Sequence, residues 1–485
     1  MARPVVLIHG YSASGSDFDQ FIPALEQRGF APIGINICNY VSLSNEISIR
    51  DIAEGLDRAF RAQPGLDKDQ EFDAIVHSTG MLVLRTWMTA NGNKVAESRC
   101  RRVKHIVGVA PATWGSPQAH KGRTWLGALV KGNKQTGPDF MEAGDQVLDA
   151  LELGSRFTWD LAHADLLCDK PVYDGGPDSP WVAVFIGNQP YDGLPSVAND
   201  PGTDGTVRWA GCGLNTRKIT LDLTRTADDR VTITPWGNRQ DVSPIPVNGR
   251  NHATIVQDPE PGMLDLMVRL FGISEAPAFD AWLTDAQKYG ASGLKQMQTA
   301  APGDGGGTTG AWVTAISKLF HPAGKVIEGW QQFVVRARDE RGESIVDYMI
   351  EIEFQDSNGQ WKVFEQMYTN CHPYSTDPGY RCFHIRLGKG LSASTVPLRA
   401  KISAHTGSAL VAYQGYDSEG KGHAMQKSDD PEDRAVVIEV HNDLGRQNGS
   451  FFFPFTTTLV EIILNREPFP LEGQSSLVGL KTAAQ

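Results

Sequence analysis

One serine in this sequence stands where a strand pattern changes into a helix pattern. The stretch FDAIVHSTGMLVLRTWM (72–88) begins as a buried strand, breaks at His-Ser-Thr-Gly and continues with helical spacing. A sharp turn there would present Ser78 at its apex, and Gly80 would let the helix approach the sheet closely. A serine becomes nucleophilic when a base takes its proton and donors hold the developing oxyanion. The pattern indicates that Ser78 is a candidate nucleophile.

The same turn predicts donors for an oxyanion. The backbone amide of Thr79 follows the serine at a helix N-terminus, where amide groups point outward. A second donor must come from another segment. The turn after the first strand, His9-Gly10-Tyr11, favours the Tyr11 amide.

Four motifs in this order make the chain resemble an α/β-hydrolase. They are HGY after the first strand, VHSTG, TDGTVRWAG and GRNHATIVQDPEPGMLDLMVRLF. Within that superfamily the chain is most similar to bacterial lipases and related carboxylesterases, over about residues 3–272. The resemblance implies the chain order serine, acid, histidine.

Carried over to this sequence, the resemblance implies that Ser78 is the nucleophile, Asp204 the acid and His252 the general base. The acid would orient the imidazole and stabilise its charged form. Asp200 is a rival acid. The DGTV context favours Asp204, since it follows a strand and a turn, whereas Asp200 precedes Pro201.

One position departs from the family motif. Val76 stands where the first glycine of G-x-S-x-G is expected. A β-branched residue needs more room between strand and helix. We therefore expect either wider local packing or an altered turn.

The elements around these motifs predict the fold class. Strand-like runs cover 4–10, 31–37, 71–77, 103–111, 181–187 and 218–224. One helix between them has an apolar face made of Ile49, Ile52, Ala53, Leu56 and Phe60. Such alternation predicts an α/β protein with a mostly parallel sheet covered by helices on both sides.

Residues 112–178 interrupt the alternation of strand-like and helix-like segments, which predicts an insertion above the sheet. Its apolar residues Trp125, Leu126, Leu129 and Val130 fit a lid over the site, with the first three as candidate substrate contacts. Ordinary core packing explains the same spacing equally well. His163 and Asp165 in this segment could line the insertion, but a solvated helix face is the favoured interpretation.

The second half predicts a different architecture. Residues 1–275 are expected to form the catalytic domain, and 276–311 a connecting helix with the Gly-rich linker APGDGGGTTG. About seven short strands with turn signals follow in 312–485, which predicts a β-sandwich. Cys371 and Cys382 bracket a turn-rich insert there, so either a hairpin disulfide or two free thiols is expected.

Composition and charge argue against several classes of binding partner. The net charge of −12 argues against nucleic acid, and no apolar run reaches the roughly 20 residues of a transmembrane helix. The six cysteines have no metal-ligand spacing. The N-terminus lacks a signal-peptide core, so cytoplasmic residence or a non-standard export route, in a bacterial source, is expected.

These observations predict a serine hydrolase for carboxylic esters of acyl lipids, with transient contact at a lipid interface and without metal or cofactor. The alternatives on the same triad are a short-chain carboxylesterase, a phospholipase and an acyltransferase. A different class, a binding protein acting through the β domain, is the remaining alternative.

Overall fold

The computed structural model describes most of the chain. The described residues are 3–10, 18–35, 46–67, 70–90, 93–119, 145–170, 172–192, 199–226, 230–236, 240–299, 329–356, 358–364, 371–374, 376–387, 397–425, 434–440, 451–471 and 474–479. The linker 301–310 and residues 120–144 of the insertion lie outside them.

The elements of the first half alternate between strand and helix. In chain order they are β1 (Val5–Ile8), α1 (Phe21–Glu26), β2 (Pro32–Ile35), α2 (Ile49–Ala62), β3 (Phe72–His77), α3 (Gly80–Thr89), α4 (Asn93–Arg102), β4 (Val103–Val109), α5 (Asp145–Leu151), α6 (Arg156–Asp165), β5 (Trp181–Gly187), β6 (Thr216–Asp222), β7 (Val231–Thr234), β8 (Ile245–Val247), α7 (Thr254–Gln257), α8 (Pro261–Leu270) and α9 (Ala276–Thr299).

The second half consists of strands. They are β9 (Gly329–Asp339), β10 (Tyr348–Gln355), β11 (Trp361–Val363), β12 (Cys371–Pro373), β13 (Tyr380–Leu387), β14 (Leu398–Ala404), β15 (Val411–Tyr416), β16 (Gly422–Ala424), β17 (Val436–Ile438) and β18 (Thr457–Pro468).

A parallel sheet organises the first half, with strand order β2-β1-β3-β4-β5-β8. Both faces are buried: Val6 and Ile8 belong to one apolar core, Val5 and Leu7 to another. Continuous apolar strands are what such a sheet requires. The predicted α/β fold class is confirmed, and we call this part the α/β region.

Helix α2 shows how local sequence builds the layer. Ser48 and Asp51 form a capping box, in which the Ser48 amide donates to the Asp51 carboxylate at 2.9 Å. This pairing satisfies amides that have no partner inside the helix. The apolar face predicted for this segment is buried against the sheet.

Two sheets form the predicted β sandwich. One has the order β11-β10-β14-β17, and the larger one contains β12-β13-β9-β18-β15-β16 together with β6 and β7. Apolar side chains from both sheets, such as Phe333, Ile352 and Ile402, form a core between them. This core contains a cavity of about 60 Å³ that is lined by apolar side chains.

One strand prediction was right in type and wrong in place. The run 218–224 was expected in the α/β sheet, but β6 pairs in parallel with β18 at the far end of the chain, and β7 pairs with β6. Strand propensity says nothing about which sheet provides the partner. The α/β region thus contributes two strands to the sandwich.

The larger sheet separates two cores. On β9, Val335 faces the sandwich interior, while Val334 packs with the α/β region. On β18, Val460 and Leu459 divide in the same way. Because side chains alternate along a strand, one sheet serves both cores.

The insertion is anchored by a buried ion pair. Asp165 at the end of α6 accepts two hydrogen bonds from Arg85 of α3, at 2.7 and 3.0 Å, and one from Tyr173 at 2.7 Å. Both charged side chains are fully buried. The expectation of a solvated helix face was therefore wrong for Asp165. His163 is half-buried: its Nδ1 donates to the Trp159 carbonyl oxygen at 2.8 Å, and its Nε2 accepts from Lys218 Nζ at 3.2 Å.

The hairpin disulfide is not formed. Cys371 and Cys382 are both free thiols. Cys371 lies opposite Phe383 on the neighbouring strand and Cys382 lies opposite His372, so the two thiols project from opposite faces of the sheet.

Candidate active site

Ser78 occupies a strained turn between β3 and α3. Its φ of +52° lies in the left-handed region, which is uncommon for a residue other than glycine. The Ser78 amide donates to the Val109 carbonyl oxygen at 3.3 Å. A methyl group built on Gly80 would lie 2.4 Å from the Ile8 carbonyl oxygen, so only glycine allows this closeness of helix and sheet.

The neighbouring strand accommodates Val76. Val76 is fully buried and pairs in register with Gly108 of β4. A methyl group on Gly108 would lie 2.9 Å from the side chains of Met81 and Pro111. The small residue therefore sits beside the motif position instead of on it, and the turn keeps its shape.

His252 connects the serine to an acid. Its Nε2 lies 3.1 Å from Ser78 Oγ, and its Nδ1 lies 3.0 Å from Asp204 Oδ2. The three side chains are buried. The structure thus brings together the three residues that the sequence indicated, from the turn after β3, the 199–211 loop and the loop after β8.

The Asp204 carboxylate is oriented by its own loop. One oxygen, Oδ1, accepts hydrogen bonds from the amides of Thr206 at 3.0 Å and Val207 at 2.7 Å. The other, Oδ2, faces the imidazole. The Asp204 carbonyl oxygen also accepts a hydrogen bond from the His252 amide at 3.0 Å. Two contacts thus join the acid to the histidine segment.

Asp200, the rival acid, is placed differently. Its carbonyl oxygen accepts from Thr203 Oγ1 at 2.7 Å, at the start of the loop. It is Asp204, four residues further on, whose carboxylate contacts His252.

Three polar side chains of the α/β region that the sequence did not indicate form hydrogen bonds with this loop. Ser116 Oγ donates to the Thr206 carbonyl oxygen at 2.6 Å, and Gln118 Nε2 donates to Gly205 at 3.3 Å. The Tyr191 hydroxyl lies 2.9 Å from Thr206 Oγ1. No motif marks these polar residues, because their partners are distant in sequence.

His77, which precedes Ser78, contacts the segment that carries His252. Its Nε2 donates to the His252 carbonyl oxygen at 3.1 Å, and the two rings are 4.8 Å apart. Burial, reinforced by the nearby His252, holds the pKa of His77 well below its usual value. A neutral His77 fits a packing and hydrogen-bonding role.

The expected oxyanion donors are partly described. Thr79 is the N-cap residue of α3, so its amide lies at the helix end where backbone donors lack intrahelical partners. A methyl group on Gly10 would lie 2.9 Å from Ser78 Cβ, which places the turn after β1 directly beside the serine. Tyr11, Trp125, Leu126 and Leu129 lie outside the described residues.

Two properties of the described residues concern membranes and metals. None of the described helices combines the length and apolar character needed to span a bilayer. Within the same parts of the chain, no group of His, Cys, Asp and Glu side chains is arranged as a metal site.

A solved phospholipase structure shares the architecture of this chain at low sequence identity. "Phospholipase PlaB from Legionella pneumophila" matches 99% of this chain and 98% of its own, with a TM-score of 0.70 and 18% identity. The same values hold for its complex with thio-NAD. The mature Bacillus licheniformis lipase BlEst2 covers 55% of this chain and 92% of its own, at 12% identity and a TM-score of 0.34.

The chain has an α/β-hydrolase fold with an appended β sandwich. No protein-family model and no curated protein matches it. The likeness to the phospholipase extends over both halves of the chain, so the attachment of a sandwich to this fold is shared by the two proteins.

Proposed function

We propose that the protein is a serine hydrolase that cleaves carboxylic ester bonds of acyl lipids. The observation that carries this proposal is the chain of short contacts from Ser78 through His252 to Asp204, set on a turn with positive φ at the serine. A buried, aligned set of nucleophile, base and acid is suited to acyl transfer.

The proposed reaction has two halves. His252 Nε2 takes the Ser78 proton as Oγ attacks the ester carbonyl, and Asp204 accepts the Nδ1 proton in a hydrogen bond that stabilises the imidazolium. The Thr79 amide, with the Tyr11 amide as expected second donor, holds the oxyanion. His252 then protonates the leaving alcohol, and water releases the acid from the acyl-Ser78 ester by the same steps in reverse.

Phospholipids are the first lipid substrates to test. The solved structure that matches over the whole chain is named a phospholipase, which supports this choice over other acyl esters. Short-chain esters and transfer to another alcohol use the same groups and differ in the pocket and the acceptor.

The experiment compares wild type with Ser78→Ala. We expect wild type to release fatty acid from phosphatidylcholine vesicles, to hydrolyse p-nitrophenyl esters and to be labelled by a fluorophosphonate. Ser78→Ala should lose labelling and about 10⁶-fold in kcat. An ester series from acetyl to palmitoyl then separates an esterase from a lipase.

A buried serine outside the site is the matched control. Ser155 caps α6 and donates to the Ala150 carbonyl oxygen at 2.9 Å, so Ser155→Ala should cost about 1 kcal/mol of stability and leave labelling intact. Absence of labelling and hydrolysis in the wild type would contradict the proposal and favour a binding protein acting through the sandwich.

We also propose that Trp125, Leu126 and Leu129, within the insertion 112–178, belong to a lid over the site. Polar substitutions at Trp125, Leu126 and Leu129 should then lower hydrolysis of emulsified long-chain esters more than hydrolysis of dissolved short ones, because a lid exposes apolar surface only at a lipid interface. Equal losses on both substrates would indicate ordinary core residues.

A further inference from the structure

The loop that carries Asp204 rests on the β sandwich. We define the acid loop as residues 202–211; it is closed by a hydrogen bond of 2.9 Å from the Trp209 amide to the Gly202 carbonyl oxygen. Strands β9, β13 and β18 of the larger sheet supply the surface beneath it. The contacts fall at both ends of the loop, on either side of the acid.

The first end packs on two stacked rings. Gly202 has a φ of +74°, and a methyl group on it would lie 2.6 Å from His384 and 2.8 Å from Trp330. Those rings are stacked, with centroids 4.6 Å apart and planes 22° apart. Both side chains are fully buried. The backbone of the loop thus lies directly on the rings.

The second end contacts the same tryptophan and its neighbours. Trp209 meets Trp330 edge to face at 6.4 Å. Thr457 Oγ1 donates to the Ala210 carbonyl oxygen at 3.3 Å. A methyl group on Gly211 would lie 2.9 Å from the Gln332 amide oxygen. Little space remains between loop and sheet.

Trp330 is itself held in place from the α/β region. Its indole nitrogen donates to the Met297 carbonyl oxygen of α9 at 3.2 Å. Trp209 is likewise tied, since its indole nitrogen donates to the Gly187 carbonyl oxygen at the end of β5. The two tryptophans therefore join the parallel sheet, the acid loop and the sandwich.

We propose that the β sandwich is part of the catalytic apparatus and that Trp330 is a positioning residue for Asp204. This inference rests on the proposed function, in which Asp204 orients His252. Trp330 lies against both ends of the acid loop, so its removal lets the loop move relative to His252. Displacement of a reacting group by about 1 Å costs on the order of 100-fold in rate.

A double-mutant cycle tests the proposal in the full-length protein. Trp330→Ala should lower kcat on p-nitrophenyl esters by about 100-fold, with little change in KM. In an Asp204→Asn background the same change should cost less than about threefold, because the contact through which it acts is already lost. An equal loss in both backgrounds would overturn the proposal, since a purely structural role acts in either.

Trp282 supplies the matched control. It is also buried, and its indole nitrogen, projecting from α9, donates to the Leu266 carbonyl oxygen of α8 at 2.8 Å. Trp282→Ala should have the same effect on kcat in both backgrounds. Should Trp330→Ala fail to fold, Thr457→Val removes one loop contact isosterically, and its expected loss of about fivefold must likewise shrink in the Asp204→Asn background.

A second readout does not depend on the substrate. The imidazole Nδ1 proton shared with Asp204 should give a far-downfield proton resonance, identified by its absence in Asp204→Asn. The resonance should persist in Trp282→Ala and disappear or shift in Trp330→Ala. Its absence from the wild type, or its persistence unchanged in Trp330→Ala, would overturn the positioning role. If it behaves as expected while the wild type resists the fluorophosphonate, the proposed function fails and the positioning role stands.

Discussion

The Ser78 turn and the acid loop both hold a group of the proposed triad, but they are built in opposite ways. The serine turn is made by adjacent residues: strand β3, the two turn residues Ser78 and Thr79, and helix α3. The acid loop is held by side chains such as Ser116 and Trp330, about 90 and 125 residues away in sequence. One is specified locally and the other by the assembled protein.

The difference follows from what each group must do. A nucleophile needs a sharply turned, strained backbone that presents its side chain at the apex, and a strand-to-helix turn provides this by itself. An acid needs a fixed distance from a histidine on another segment, and a ten-residue loop cannot fix this distance alone. We therefore expect the backbone shape of the turn to depend on its own residues, and the position of the acid loop to depend on tertiary contacts.

The largest expected effect is the loss of activity when the Asp204 carboxylate on the acid loop is replaced. Asp204→Asn should lower kcat by about 10⁴-fold, because the amide no longer stabilises the imidazolium. Asp200→Asn is the matched control, with a loss below about tenfold, since His252 contacts Asp204. Steady-state kinetics on a soluble ester checks both, and a larger loss in Asp200→Asn would reverse the assignment.

A smaller effect tests how closely helix α3 approaches strand β1 at the serine turn. Gly80→Ala should lower the free energy of unfolding by about 3 kcal/mol, because the added methyl group meets the Ile8 carbonyl oxygen, a backbone atom that cannot move aside. Gly55→Ala is the control on α2, where the methyl group meets nothing within 4 Å. It should stabilise by about 0.5–1 kcal/mol.

Urea unfolding followed by tryptophan fluorescence measures both glycine variants. If Gly80→Ala cost no more than Gly55→Ala, the close approach of α3 to β1 would be wrong, and the turn would depend on other contacts.

The smallest effect concerns the surface under the acid loop. Burial holds the pKa of His384 well below its usual value, and the nearby Arg208 lowers it further. The unfolded chain therefore binds a proton below about pH 6.5 that the folded chain rejects. Stability falls with decreasing pH in this range, by up to about 1.4 kcal/mol per pH unit for one such histidine.

The substitution His384→Phe keeps an aromatic ring against Trp330 and removes the imidazole that binds a proton in the unfolded chain. The variant should resemble wild type near about pH 7.5 and should lose less stability than wild type on acidification to about pH 5. Urea unfolding at both pH values tests this, and parallel losses in the two proteins would show that His384 is not the group that titrates.

The sequence predicted the fold class well because its signals are local. Continuous apolar strands, the apolar face of α2 and the motif around Ser78 each lie within one short segment. The β sandwich was likewise predicted from short strands and turns. The strand pairing was not predicted correctly, because the sequence of β6 does not show which strand it pairs with. Its partner is β18, which lies more than 200 residues later.

Errors and omissions share a cause. The helical pattern predicts Asp165 on a solvated face, whereas its partner Arg85, 80 residues away in sequence, binds it in the core. The Cys371–Cys382 hypothesis considered separation along the chain but not the face of the sheet. In each case the missing information was which distant segment lies opposite.

By itself, the sequence determined where Ser78 and its helix stand, since the backbone geometry of that turn follows from adjacent residues. It also indicated Asp204 and His252 through motif order. Only the tertiary structure decided that His252 contacts Asp204 and that the sandwich lies under the acid loop. The physical reason is that such contacts join segments far apart in sequence, whose meeting depends on the packing of the entire chain.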